Sequence, residues 1–350
     1  MEALDNKCPT CGATITFNPL NQLWDCQYCS SKFTLDELQK FNNASSAVAN
    51  LVDQLMPDTT VDDLDVYRCR NCGAQIMADR TTTSTFCVYC GSVAILKERF
   101  HQGKAPNYII PFKKVKEDAI KGFKKVTRGK LLTPKCFKDS KNIEKITGVY
   151  IPFWAYDLEA NGEIEFEASD IETWSDSRYR YQKVHRYSVR KSGHFDFNKV
   201  LADASSRFPD SLMDSLEPFN FDDLKPYNHA YLSGFLAEKY DVDEKQGLSR
   251  VSGRSKDTAV SLMENTVGHQ QRTIVNNGIR VSARYTHYIL LPVWMVNIRY
   301  NKRIYTFAMN GQTGKMVGNI PVSIPKAIMW FLIFFILLFA LGYIFVTKVA

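Results

Sequence analysis

The sequence predicts an α+β protein, and three observations predict it. Two sets of four cysteines recur at a fixed offset near the start, strand-type alternation fills the middle, and one unbroken apolar run closes the chain. At roughly 100 to 200 residues per domain, a chain of 350 residues accommodates two or three domains. A hydrophobic share of 45% beside 23% charged residues excludes a largely disordered chain. Nine cysteines are too few for a small disulfide scaffold, and eight of them stand in Cys-x-x-Cys pairs, the layout of thiolate ligands in a reducing compartment.

The first set is Cys8, Cys11, Cys26 and Cys29, and the second is Cys69, Cys72, Cys87 and Cys90. Each has fourteen residues between its two pairs, and all four positions are displaced by 61. Gly12 and Gly73, Ala13 and Ala74, and Tyr28 and Tyr89 follow the same offset. Two Cys-x-x-Cys knuckles joined by a hairpin bring four soft thiolates to one tetrahedral centre, which suits Zn2+. A catalytic zinc needs an open coordination position, whereas each set here supplies four cysteines and no neighbouring histidine. Two structural zinc ions per chain, one in each of two tandem zinc ribbons, are therefore expected. Redox switching and an iron cluster use the same residue type, but neither calls for two independent, complete sets. Structural zinc contributes on the order of 10 kcal/mol to such a module, so the apo ribbons are expected to be unfolded.

The expected units are ribbon 1 over 1–33, a helical and acidic linker over 34–66, ribbon 2 over 67–96, an α+β body over 97–324, and an anchor with its tail over 325–350. Within the linker, Leu35, Leu38, Phe41, Val48, Leu51, Val52 and Leu55 recur at helical spacing as far as Met56. Asp53, Asp58, Asp62, Asp63 and Asp65 make an acidic connector.

The body carries the positive charge. The net +7 is concentrated, because Lys97 to Lys145 holds fifteen Lys+Arg against five Asp+Glu, leaving -3 for the rest. Ala119 to Val126 reads as a helix, and Lys121, Lys124, Lys125 and Arg128 lie mainly off its apolar face. They are candidate contacts for an anionic surface, either lipid headgroups or nucleic-acid phosphates; a solvated helix face has the same pattern. Asp157 to Asp176 has eight acids and no base, while Arg178 to Lys191 has six bases and no acid. Such neighbours are expected to pair as antiparallel strands.

Gly148 to Phe166 and Tyr179 to Val189 are strand-rich, Tyr288 to Tyr300 and Arg303 to Met309 form a hairpin, and Asn310-Gly311 supplies a turn. Leu212 to Tyr240 and Asp257 to Val267 read as helices or acidic loops. Ile151-Pro152-Phe153-Trp154 and Leu291-Pro292-Val293-Trp294 suggest an internal duplication, and their prolines favour edge strands or strand starts.

Ala327 to Val346 is twenty residues long and uncharged, enough at about 1.5 Å per residue to cross a hydrocarbon core of about 30 Å. A transmembrane helix is expected, with Trp330 and Tyr343 near the two interfaces. The N-terminal residues have no basic region followed by an apolar one, so no signal peptide is expected. The expected location is the cell membrane, single-pass, with the body in the cytoplasm.

No catalytic motif accompanies these features. The Gly-Lys pairs at Gly103, Gly129 and Gly314 are followed by Ala105, Leu131 and Met316, so no Gly-x-x-x-x-Gly-Lys-Ser/Thr phosphate loop is completed. Neither Gly-x-Ser-x-Gly nor His-Glu-x-x-His occurs. No residue is assigned to catalysis, and a non-enzymatic protein is expected.

The two cysteine sets, Tyr108-Ile109-Ile110-Pro111-Phe112, Gly148-Val149-Tyr150-Ile151-Pro152-Phe153-Trp154, Leu291-Pro292-Val293-Trp294 and Asn310-Gly311-Gln312-Thr313-Gly314 together resemble bacterial membrane-anchored TFIIB-type zinc-ribbon proteins, often labelled replication-restart-helicase-like. The resemblance spans most of the chain before the anchor. It implies an adaptor that recruits a cytosolic protein to the membrane, an SPFH-domain partner for some members, in membrane stress. Membrane-tethered nucleic-acid binding is the alternative.

Overall fold

The structure, a computed structural model, describes residues 8–11, 13, 15–41, 65–69, 75–78, 95–98 and 104–349. The chain opens with β1 (Ile15–Asn18), β2 (Leu23–Cys26) and β3 (Lys32–Phe33), a small antiparallel sheet in that order. Helix α1 (35–41) follows. Thr34 caps it reciprocally: the Glu37 amide donates to the Thr34 hydroxyl at 3.3 Å, and the Thr34 amide donates to the Glu37 carboxylate at 2.7 Å. The remainder of the expected linker helix and Asp53, Asp58, Asp62 and Asp63 of its acidic connector lie outside the described residues, whereas Asp65 opens the next strand. Strands β4 (Asp65–Cys69), β5 (Gln75–Ala78) and β6 (Ile95–Glu98) come next, with β4 paired antiparallel to both others.

The body runs through β7 (Tyr108–Ile109), α2 (Lys116–Thr127), α3 (Ser140–Ile143), β8 (Thr147–Ser175), β9 (Arg180–Asp203) and α4 (Asp210–Asp214). It continues through β10 (Lys225–Pro226), β11 (Leu236–Ala237), α5 (Glu244–Glu264), β12 (Gln271–Asn277), β13 (Arg280–Tyr300), β14 (Arg303–Asn310) and β15 (Met316–Gly318), and α6 (Ile324–Val349) ends it. Most pairings are antiparallel, and the class is α+β as expected.

Two halves of this body are arranged about a local two-fold axis. β8 and β13 run antiparallel at the centre, with Ile151 opposite Leu291, Pro152 opposite Leu290 and Pro292 opposite Tyr150. Each central strand starts one hairpin, β8 with β9 and β13 with β14. Each also accepts a short parallel strand from the other half: β11 joins β8 through Leu236↔Val149, and β7 joins β13 through Ile289↔Tyr108. The hydrogen bonds at the junctions match, Glu238 N to Tyr150 O at 2.9 Å and Ile110 N to Leu290 O at 3.0 Å.

The prolines therefore stand on central strands rather than edges. In an antiparallel strand the N and C=O of one residue face the same neighbour. Pro152 faces the gap where β9 gives way to β11, and Pro292 the gap where β14 gives way to β7. Their missing N–H groups fall where the pairing is already interrupted, while their carbonyls accept from Ala204 N at 2.9 Å and Gly311 N at 2.8 Å.

The β8–β9 hairpin is much the longer of the two. Its far part pairs the acidic and basic stretches in register, Glu165 opposite Arg190 and Glu172 opposite Lys183, with Arg190 Nε 2.8 Å from Glu163. Gly162 (φ +147°) marks the position where β8 exchanges β13 for β12, and a Cβ there would lie 2.4 Å from the Gly278 carbonyl. α5 covers this region with Ala259 and Met263 against Ile164, Phe166 and Ala168. Of the two stretches read as helices or acidic loops, 212–240 holds only the end of α4, 3-10 turns and two-residue strands, while Asp257 to Val267 overlaps the second half of α5, which begins at Glu244.

α6 leaves the opposite end of the sheet. Its first turn is fastened to the body by Ser323 N to Leu132 O at 2.8 Å and by Lys326 Nζ to Thr133 O at 2.5 Å. Ile324–Gly342 is long and apolar enough to cross a membrane, and none of it is buried against the protein.

Candidate metal centre

Cys8 and Cys11 precede β1, Cys26 ends β2, and Cys29 lies in the turn before β3, so the hairpin folds both pairs onto one point. Backbone bonds shape the knuckles: Cys8 N donates to Ala13 O at 2.6 Å, Cys26 N to Ser31 O at 2.9 Å and Ser30 N to Cys26 O at 2.9 Å. Cys8 Sγ is 3.5 Å from Cys29 Sγ, Cys11 Sγ is 3.6 Å from Cys26 Sγ, and all four sulfurs lie within 4.8 Å of one another. These separations far exceed a disulfide bond of about 2.05 Å. A tetrahedral ion with metal–sulfur bonds of about 2.3 Å would place its ligands about 3.8 Å apart, so the donor set fits such an ion. Among the described residues no other cysteine, histidine and carboxylate cluster has this form.

The electrostatics point the same way. Hydrogen bonding with the Ser31 side chain and backbone holds the Cys29 thiol down at about 6. Cys11 is pushed up to about 12: its bond with the Ala13 backbone favours the thiolate, but desolvation and the three neighbouring sulfurs outweigh it. One thiolate in the cluster thus opposes ionisation of the next, and a divalent cation at the centre reverses that opposition.

The cluster is built onto the body. Cys8 and Cys26 are buried in one hydrophobic cluster with Ile15, Phe17, Trp24 and Tyr231. The Trp24 indole donates to Ala230 O at 2.7 Å, Phe17 N donates to Ser233 O at 3.1 Å, and the side-chain amide of Gln22 donates to Phe112 O at 2.9 Å. Phe17, Trp24 and Tyr231 form a ring triad with centroids 5.0 to 5.3 Å apart. Gly234 (φ +87°) turns the body segment under Thr16, where a Cβ would already lie 3.4 Å from the threonine side chain. The cysteine spacing gave no notice of this docking face; the alternation of Ile15, Phe17, Trp24 and Cys26 on one side of the hairpin was the available signal.

With this geometry in hand, comparison with known proteins identifies the group. Over 326 residues the chain is 33% identical to the uncharacterized protein YdjG of Bacillus subtilis (strain 168), covering 93% of this chain and 92% of that protein. The chain belongs to the YdjG family. No family profile and no solved structure matches it.

The second cysteine set cannot be placed in the same way, since Cys72, Cys87, Cys90 and the side chain of Cys69 lie outside the described residues. The backbone of its neighbourhood echoes the first: the offset of 61 carries Ile15–Asn18 onto 76–79, and β5 is Gln75–Ala78. The four basic candidates are all exposed: Lys121, Lys124 and Lys125 on α2, and Arg128 just after it. Ala119, Phe123 and Thr127 form the buried face of α2.

Proposed function

We propose that this protein is a membrane-anchored adaptor, in which α6 spans the membrane once, the body lies in the cytoplasm, and two structural zinc ions staple ribbons that present a docking surface to a cytosolic protein partner. The observation that carries this reading is the rigid joining of its parts. The cysteine cluster is fixed to the body through Trp24 and Ala230, and the apolar helix through Lys326 and Thr133. A partner held by the ribbon is then held at a fixed place relative to the membrane. A four-sulfur zinc site leaves no open position for substrate, which favours a scaffold over a metalloenzyme. The resemblance to zinc-ribbon adaptors makes an SPFH-domain protein in membrane stress the first partner to seek.

Crosslinking in native membranes, followed by identification of the captured proteins, tests the reading. A cytosolic partner is expected, and its membrane location should become diffuse when residues 1–33 are deleted. Unchanged partner location would exclude ribbon docking, and recovery of nucleic acid in place of protein would favour the tethered nucleic-acid binder.

A further inference from the structure

The end of the body from which α6 departs has its own composition. The loop after α2 lies beside the first turn of that helix, because Leu132 and Thr133 carbonyls accept from Ser323 and Lys326. The β13–β14 turn is at the same end: the Phe137 ring sits 6.2 Å from Tyr300 and 5.7 Å from Tyr305. On these two loops Arg128, Lys130, Lys135, Lys302 and Arg303 are all exposed. Leu131 is 60% exposed between two of them, Ile304 is 44% exposed, and Val322 and Ile324 beside the helix start are 57% and 65% exposed. Over 128–145 six bases face two acids, Asp139 and Glu144, and Asp139 is engaged as the N-cap of α3 through Lys141 N at 3.1 Å.

Exposed apolar side chains bordered by cations and adjoining an apolar helix suit a headgroup layer, where the apolar tips meet the acyl boundary and the cations meet phosphates. We infer that the Arg128 to Lys135 loop and the β13–β14 turn form a membrane-facing surface that binds anionic phospholipid headgroups, with Leu131 inserted between them. This rests on the reading of α6 as a membrane span. Continuity with that helix selects lipid over nucleic acid, since these loops meet the bilayer wherever the helix enters it. Each such cation is worth about fivefold in affinity for an anionic surface. The surface shares Arg128 with the basic set that the sequence singled out, but not Lys121, Lys124 and Lys125, which lie on α2.

The test uses the full chain in phosphatidylcholine nanodiscs with and without phosphatidylglycerol, read by amide hydrogen exchange. Exchange across 128–135 and 299–305 should slow by at least about fivefold when phosphatidylglycerol is present, the contribution of a single such cation. The combined variant Arg128→Gln, Lys130→Gln, Lys135→Gln, Lys302→Gln, Arg303→Gln should abolish that slowing while leaving exchange in β8 and β13 unchanged. Equal exchange in the two nanodiscs overturns the proposal, as does protection by a DNA duplex but not by phosphatidylglycerol. Flotation of the chain with vesicles after an alkaline wash separates the two readings. A chain that does not float removes the span and this surface together, whereas one that floats with unprotected loops removes only the surface.

Discussion

Trp154 and Trp294 occupy equivalent places in the two halves of the body, each donating its indole N–H to the carbonyl that precedes the N-cap of a helix. Trp154 reaches Val242 O at 2.9 Å ahead of α5, and Trp294 reaches Lys114 O at 2.8 Å ahead of α2. Each tryptophan also meets the ring three residues before that N-cap, Tyr240 at 5.2 Å and Phe112 at 5.1 Å. The same contact made twice indicates one β-α-β-β unit used twice, each half lending its short first strand to the other. Because the halves interlock, neither is expected to fold alone. Substituting Trp294→Phe removes one such bond and leaves a carbonyl to be satisfied, at a cost of about 1 to 2 kcal/mol. Trp154→Phe should cost a similar amount, and the pair should be close to additive if the halves are energetically independent. Urea unfolding of the soluble body, monitored by far-UV circular dichroism, measures both.

Metal removal should act on the ribbon before the sheet. The cysteine cluster lies in a small three-stranded unit, whereas the body has its own core around Phe153, Leu201, Ile289 and Leu291. Elemental analysis is expected to give two zinc ions per chain. A strong chelator should make 8–41 susceptible to protease while β8, β9 and β13 stay protected. Trp24→Ala, which empties the docking face and frees Ala230 O, should produce the same susceptibility with the metal still bound, at a cost of about 3 to 5 kcal/mol. Loss of both modules together with the sheet would show that the ribbon and body form one cooperative unit.

The parts that were legible in the sequence are those whose signal is periodic or exact in spacing. Cys8, Cys11, Cys26 and Cys29 converge as their spacing requires, and the strands of β8, β9, β13 and β14 follow their alternation. α5 was read only from Asp257 onward, for a physical reason. Its buried stripe is Gly247, Val251, Ser255, Ala259 and Met263, and its first half is short of large apolar residues. The stripe is small because the sheet is close: a Cβ on Gly247 would lie 2.4 Å from the Tyr156 hydroxyl. A helix chosen for close approach has little hydrophobic periodicity to detect. The positions of Pro152 and Pro292 depend on where neighbouring strands end, which no local pattern contains.

Arg250 should be among the most sensitive single positions outside the metal centre. Its guanidinium joins three acids, Asp203 at 2.6 Å, Asp214 at 2.5 Å and Asp210 at 3.0 Å, tying α5 to the end of β9 and to α4. Asp203 is buried, and that burial raises its pKa despite the arginine. Arg250→Ala leaves this carboxylate without its partner, a change expected to cost about 3 kcal/mol. Adding Asp203→Asn should recover part of the loss, because the stranded charge is then gone. Thermal melts of the single and double variants measure the recovery, and an unimproved double variant would assign the loss to packing.

Asp223 supplies a pH-dependent contribution with a defined sign. The Lys113 ammonium, 2.6 Å away, holds its carboxyl below the usual carboxylate range, opposed by desolvation and assisted by Gln312. Because the folded pKa is depressed, the stabilisation is present above the unfolded value of roughly 4 and is lost as pH falls through the folded value. Lys113 is 46% exposed, so screening limits the contribution to about 1 kcal/mol or less. Asp223→Asn should therefore lower the melting temperature at pH 7, and the difference from the natural chain should shrink as pH falls below about 4. A constant difference across that range would mean that the variant acts through the Gln312 hydrogen bond, which joins the 220–223 turn to the loop after β14, and not through ionisation of Asp223.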